Sequence, residues 1–542
     1  MALLPTNVAS GQTGHVAHTN QLHKKLNRAW IDVQADFGAT GDGTTNDTTA
    51  INNAIAALPA DGGTVYFPSG TYICSAATLT LVSDLRLMGD GADYAILKLA
   101  DSANGRLISS TATLSNITFQ GLGFDGNKAN QTNGASRDDR SILFLSNITT
   151  FRVLFCRIFN GRSGAALRLN ACDHTLIMGN RFHDNGWWTT TSGSHTLPQG
   201  TITVASTSTF PTSGEILVGD NQVVAYTGTT GTTFTGCTGG TGTIPAGASV
   251  IPIAGGGEHL LCDHNFNSNA DHLRIIGNSY ENASDTGSAQ DGIQHSAIIG
   301  NTYVNNILAA SISNSTTRNS RWNTITGNSI RGSSTLFRTS VGLKVSTFGN
   351  PGPGNMTDGV ITGNTVHEVD RALWIEECDR MNVTGNIFAD QATDAPNGQL
   401  VLMGTTGTMT DCMFRGNILY NTASRGFSFE AGTQTNITIA DNNFASVTTP
   451  IGGTIPSSAR IRNNRGYNPQ GVTTITVTAS PFTYTNNDAV PEAVYIRSGT
   501  VSNVSKNSIQ IYAATNCGVW LEPGEAVTVT YSSAPTMTKD RK

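Results

Sequence analysis

"HLRIIGN" at residues 272–278 returns as "HSAIIGN" at 295–301, identical at five of seven positions. The phrase recurs as "HTLIMGN" at 174–180, "WNTITGN" at 322–328, "DGVITGN" at 358–364, "RMNVTGN" at 380–386 and "DCMFRGN" at 411–417, with a weaker "NITIADN" at 436–442. From residue 278 onward the closing asparagines are 23, 27, 36, 22, 31 and 25 positions apart, a variable period that a helical repeat of fixed length does not give. Within the units, apolar and polar residues alternate, as in "ALWIEEC" at 372–378 and "GFSFEAG" at 426–432. That is the period of a strand, and no unit carries a ten-residue helical pattern.

Short strands at this spacing, joined by turns rich in Asn, Gly, Asp, Ser and Thr, bury their apolar faces only by stacking coil upon coil. The pattern therefore predicts an all-β chain built on a right-handed, single-stranded parallel β-helix. The recurring Asn is expected to take a left-handed turn conformation and to bond through its amide to the Asn one coil away.

The composition agrees with a turn-dense β protein: 59 Gly in 542 residues and only 13% charged side chains. A net charge of −6, with no basic run and no RNA-binding aromatic motif, argues against nucleic acid as a partner. No run approaches 18 apolar residues, so no membrane insertion is expected. The opening "MALLPTNVASGQTG" has neither the basic nor the apolar part of a signal peptide, so export by the general secretory route is not expected. The eight Cys sit mostly inside strand patterns, with Cys172 and Cys378 each eight residues before a ladder Asn, and read as small buried hydrophobes.

Residues 31–72 read "IDVQADFGATGDGTTNDTTAINNAIAALPADGGTVYFPSGTY". Asp47 or Thr48 can cap a helix over "TTAINNAIAAL", whose Ile51, Ile55 and Leu58 share a face and would plug the open end of the first coil. The arrangement "DFGA-GDG-ND-AI-AI-GG-V-FP-G-Y" resembles the pectate-lyase-like superfamily, of the type found in bacteriophage tailspikes and minor tail proteins. The resemblance covers about residues 30–465. It implies the β-helix fold and a virion protein of the phage tail, assembled in the host cytoplasm and acting at the host surface. It leaves chemistry open, because relatives include lyases, hydrolases and non-enzymatic binders.

Five segments are expected. Residues 1–30, with Val16, Leu22, Leu26 and Ala29 on a rough helical stripe, form an attachment or oligomerisation segment that would engage other tail proteins and support a homotrimer. Residues 31–188 form the first part of the β-helix. After "HDNGWW" the next ladder Asn is delayed to 98 residues after the last, and the surplus, 189–257, reads as an inserted small β module. Residues 258–467 resume the β-helix, and 468–542 form a compact β-sandwich-like end domain.

Counting back from each ladder Asn, the sixth position holds His174, His272 and His295, and the seventh holds Asp173, Asp271 and Gln294. With the module excised these come from three consecutive coils, so one column on the outer wall is expected, at a strand spacing of about 4.8 Å. Later coils put Trp322, Asp358 and Arg380 in that place, so the scaffold does not require histidine. Asp263, Asp291, Glu281, Asp285 and His264 are expected nearby. Asp271 with Asp263 or Asp291 could form the carboxyl pair of a glycosidase, whose separation is about 5–9.5 Å. A lyase would instead draw a base from His272 or His295 and neutralise a sugar carboxylate with Arg274 or Arg321. Trp187, Trp188, Tyr280, Tyr303 and Trp322 are candidates to stack on sugar rings. A second acidic group, Glu376 and Glu377 in "WIEECDR", is a further substrate-binding candidate, and Asp138 and Asp139 read as a solvated turn. Neither the calcium and arginine arrangement of pectate lyases nor the clustered Asp and Gly-His-Gly of polygalacturonases is present. No cofactor or metal is expected; the spacing of His15, His18 and His23 matches no strong ligand motif. Two readings stand: a tailspike that depolymerises a bacterial surface polysaccharide, and a non-catalytic receptor-binding or structural tail protein with a glycan-binding β-helix.

Overall fold

A computed structural model describes residues 29–131, 141–162, 164–208, 210–219, 222–252, 257–263, 271–315, 317–332, 341–347, 354–391, 399–467, 472–488 and 490–541. The helical stripe expected in residues 1–30 lies outside the described residues except at its end, where Ala29 and Trp30 begin a strand instead; His15, His18, His23, Asp138, Asp139 and His264 also lie outside them. The chain divides into two compact units that meet in sequence at Ala309 and Ala310.

The first unit is a stack of parallel coils. Strands Ala29–Asp32, Gly63–Phe67, Leu85–Gly89, Leu114–Gln120, Ile148–Leu154, Leu176–Met178, Arg274–Ile276 and Ala297–Ile299 pair in parallel, one per coil. After the "GN" turn each coil continues along a second face, as in Arg181–His183, Ser279–Glu281 and Thr302–Val304. A third face includes Leu167–Asn170, Leu260–Asp263 and Thr286–Asp291. Alternation buries the middle residue of each short strand: Ile177, Ile275 and Ile298 under one face, Phe182, Tyr280 and Tyr303 under the next. Each such side chain removed from water contributes roughly 1.5–3 kcal/mol. The second unit repeats the plan over Thr324–Thr326, Val360–Thr362, Asn382–Thr384, Met413–Arg415, Thr438–Ala440 and Arg460–Arg462.

The asparagine ladder forms, with one correction to its backbone. Asn180 donates from its backbone N and its Nδ2, both at 2.9 Å, to Oδ1 of Asn278, which does the same to Asn301 at 2.9 and 3.0 Å. In the second unit Asn328, Asn364, Asn386, Asn417, Asn442 and Asn464 make an equivalent chain. The left-handed residue is the preceding glycine, not the Asn: Gly179, Gly277 and Gly300 have φ of 66°, 60° and 60°. Glycine takes that turn at no steric cost, leaving Asn to aim its amide into the buried interior.

The helix Thr48–Ala56 buries Ile51, Ala54 and Ile55, while Leu58 lies beyond its end. Asp47 stands at the N-cap without a side-chain cap bond. Its carboxylate instead accepts from Thr40 N at 2.6 Å, Thr40 Oγ1 at 3.0 Å and Gly41 N at 3.2 Å, tying down the "GATGDG" loop.

Residues 189–252 fold into small antiparallel sheets around their own core of Ile202, Val204, Phe210, Ile216, Val218, Val224, Tyr226 and Phe234. The necks of this insertion cross at a glycine pair: a Cβ on Gly186 would lie 2.6 Å from Gly257 Cα, and one on Gly257 would lie 2.1 Å from Gly186 Cα. The C-terminal region is a β-sandwich of two four-stranded antiparallel sheets, sharing a core that includes Val494, Ile496, Val504, Leu521, Val527 and Val529. Among the described residues the eight Cys form no disulfide and seven are buried, Cys378 and Cys412 with their sulfurs 3.8 Å apart.

Candidate functional site

At the corner between the third face and the first, three coils follow one path. Asn170, Asp263 and Asp291 end strands; Asp173, Asp271 and Gln294 come next, with Asp271 bridging Gln294 in parallel; His174, His272 and His295 then enter the next strand. All three histidines are left-handed, with φ of 49°, 62° and 50°, which swings the side chain out of the wall. They are exposed. His174 stacks on His272 with centroids 4.6 Å apart and planes at 19°, and His272 on His295 at 5.5 Å and 14°. The expected column is therefore present.

Asp173 organises its base. One carboxylate oxygen accepts from His174 N at 2.9 Å and Asp271 N at 3.1 Å, and the other lies 2.8 Å from His174 Nδ1. Arg274 is exposed on the strand that follows His272. Asp263 pairs through its backbone with Asn170. Asp291 is half-buried at the end of its strand.

Several expected contacts are corrected. Tyr280 and Tyr303 are wholly buried and stack on each other at 4.8 Å, with Phe182 on Tyr280 at 5.0 Å, so none of these rings can meet a sugar. Tyr280 stands two residues after the inward Asn278, and a period of two turns it inward as well. Trp187 is buried where the module meets the wall, with the Arg162 guanidinium 4.7 Å above its ring and Phe210 of the module 6.4 Å away. Trp188 is half-buried. Trp322 is exposed in the second unit, under the Arg321 guanidinium. Glu376 is buried: it accepts from Ser346 Oγ at 2.7 Å, Thr405 N at 3.1 Å, Thr406 N at 3.3 Å and Thr405 Oγ1, and is not open to substrate. Burial pushes its carboxyl up, but these bonds outweigh burial and hold it below the usual range. Burial and the neighbouring Glu376 charge raise Glu377, which is half-buried and left-handed at φ 51°.

Glu281 does not join the column. It ends a strand of the second face, ion-paired to Arg181 at 2.9 Å and bonded to Ser279 Oγ at 2.8 Å. There it belongs to a cluster the sequence reading missed. His183 Nδ1 lies 2.7 Å from Asp184 Oδ2, and that bond chiefly depresses Asp184 to about 2. The Lys128 ammonium donates to Asp184 O at 2.5 Å and Gly186 O at 3.3 Å, and burial lowers its pKa. Phe159 stacks on His183 at 5.2 Å, with the Arg157 guanidinium over Phe159 at 3.8 Å. The phrases "RFHDN" at 181–185, "SYENA" at 279–283 and "TYVNN" at 302–306 are the sequence signal of this row.

Residues 30–236 match the family model described as rhamnogalacturonase A/epimerase, pectate lyase-like. Mannuronan C5-epimerase AlgE6 of Azotobacter vinelandii is 40% identical over 107 residues, 18% of this chain and 12% of that protein. Alginate lyase 7 of the same organism is 44% identical over 79 residues, 13% of this chain and 9% of its own length. The chain thus spans about a tenth of the curated relatives it matches. Among solved structures, the AlgE6 A-module superposes with a TM-score of 0.56 at 16% identity, covering 81% of this chain and 100% of that one. The N-terminal fragment of bacteriophage Phi29 gene product 12 superposes with a TM-score of 0.52 at 14% identity, covering 83% and 68%. The shared parallel β-helix fold is what these superpositions establish.

Proposed function

We propose that this chain is a bacteriophage tail protein that binds a bacterial surface polysaccharide along the outer wall of its first unit, with the row Asp173–His174, Asp271–His272 and Gln294–His295 as contact surface. The observation that carries this reading is the column itself. Exposed hydrogen-bonding rings repeated at the coil pitch suit a polymer, which presents like groups at regular intervals, better than a single small molecule. The two relatives compared above are named for mannuronan and alginate, and Arg274 beside the column offers a cation for a sugar carboxylate. Acting as a homotrimer held to other tail proteins through residues 1–30, the protein would gain avidity for a repeating glycan.

Depolymerisation is the catalytic form of this reading. Asp271 with Asp263 of the same coil or Asp291 of the next would serve as acid and base, a pair that a glycosidase holds about 5–9.5 Å apart, and His272 or His295 as base or orienting group. Purified protein incubated with host polysaccharide should bind it. New reducing ends would mark a hydrolase, unsaturated-uronate absorbance a lyase, and binding without release the non-catalytic form. Asp271→Asn and His272→Asn should weaken binding or abolish release while melting stays unchanged. Full binding and release by both variants would remove the column from the site, and a monomer by light scattering would count against the trimer.

A further inference from the structure

Glycan contact alone does not explain why imidazoles stack on imidazoles. At three other coil steps the same left-handed position is filled by side chains that complement one another. Asn116 Nδ2 donates to Asp84 Oδ1 at 2.8 Å, Arg380 grips both Asp358 oxygens at 2.6 and 2.9 Å, and Asn436 Nδ2 donates to Asp411 Oδ1 at 3.0 Å. All six of these residues have φ between 54° and 59°, like the histidines in backbone but not in pairing. At His174 and His272 the wall instead brings like rings, and so ring nitrogens, together. Asp173 completes the set: one ligand atom from each of Asp173, His174 and His272 lies within 4.8 Å of the other two.

We propose that Asp173, His174 and His272 bind one divalent transition-metal ion of the zinc or nickel type. Imidazole nitrogens with a carboxylate oxygen suit such ions, whereas calcium and magnesium seek oxygen ligands alone. A tetrahedral site with bonds of about 2.0–2.1 Å holds its ligand atoms ~3.3 Å apart. Closing from the present spacing takes movement of the two exposed imidazoles toward the half-buried Asp173 by roughly an ångström or two, given those bond lengths. The backbone beneath is already fixed, because His174 N donates to Asp271 O at 3.1 Å and Asp271 N to Asp173 Oδ1 at 3.1 Å. Water would fill the remaining coordination on the solvent side, where the His174 side chain is 56% exposed. The ion would fasten the two coils that flank the inserted module.

The test is calorimetric titration and thermal melting of the full chain with zinc, nickel, calcium or magnesium chloride and no glycan present, so the outcome is separate from the polysaccharide reading. Zinc and nickel should bind at one ion per chain with micromolar or tighter affinity and raise the melting temperature, while calcium and magnesium do neither. His174→Asn and His272→Asn should each weaken binding at least ~10-fold, since losing even a ligand's outer-shell partner costs about 10–100-fold. Asparagine occupies the same left-handed position at Asn436, so both variants should fold, and metal-free melting verifies this. Absence of saturable zinc or nickel binding would overturn the proposal. So would one-to-one binding that persists undiminished in the double variant, as histidines elsewhere in the chain would give.

Discussion

The imidazole of His272 lies face to face with that of His174, 4.6 Å away, although the two are 98 positions apart in the chain, as are Asp173 and Asp271 beneath them. The intervening module leaves no trace in the register: Leu176–Met178 pairs residue for residue with Arg274–Ile276. The wall is continuous where the sequence is not, which is why a site can be built from both sides of the insertion.

Asn278 is expected to be among the least replaceable residues of the first unit. Asn278→Ala removes the acceptor of two buried donors on Asn180 and the donor to Ile177 O. Orphaned buried groups cost about 1–3 kcal/mol each, so calorimetry should find the unit destabilised on the order of 2–4 kcal/mol. Replacement of the exposed Arg380, whose partner Asp358 lies on the surface, should cost less than about 1 kcal/mol.

The neck of the module should tolerate no side chain. Gly257→Ala would drive a methyl group into the backbone of Gly186, and Gly186→Ala adds strain at φ 88° to a collision with Ser284 Oγ and Gly257. Limited proteolysis should cut either variant near residues 186–190 or 253–258 far faster than the parent chain. Equal resistance would show that the necks can part without cost.

Acid should weaken the first unit through His259. Its ring is wholly buried, Nε2 donating to Glu281 O at 2.9 Å and Nδ1 accepting from Asn185 Nδ2 at 2.8 Å, and burial lowers its pKa from 6.5 to about 3. Between those values the unfolded chain holds a proton that the folded chain refuses. The contribution is therefore complete above about pH 6.5 and is lost as pH falls toward 3, with a slope of up to roughly 1.4 kcal/mol per pH unit. Comparing melts of the parent and His259→Gln from neutral pH downward should show their stability difference shrinking with acid. A constant difference would mean the imidazole is not held neutral.

Tyr280→Ala should cost about 3–5 kcal/mol by leaving a cavity between Phe182 and Tyr303. Polysaccharide affinity measured well below the variant's melting temperature should not change, because the ring never reaches the surface.

The coil repeat, the ladder asparagines and the histidine column were legible in the sequence because each depends only on position within a coil, and stacked coils carry that position from one to the next. The inward turn of Tyr280 and Tyr303 was legible too, since both follow a buried ladder Asn by two. Their aromatic character suggested sugar contact where alternation already placed them inside. Lys128 was not legible: its carbonyl partner Asp184 is 56 residues on, and its burial depends on how the coils and the module neck close around it. Glu376 and Glu377 read as a pair of acids, yet the corner they occupy turns one inward to satisfy the hydroxyls and amides of neighbouring coils.

The crossing of the chain at Gly186 and Gly257 makes the module a passenger. Because its two ends meet, it lengthens the connection between neighbouring coils from the usual twenty-odd residues to 98 without spreading them. Lengthening a flexible connection costs only about 0.6 kcal/mol per doubling, so two doublings cost little more than 1 kcal/mol, and a passenger with its own core costs less still. A different cargo whose ends come equally close could be carried at the same junction, which would make this a natural graft point for changing what stands beside the wall without redesigning the wall.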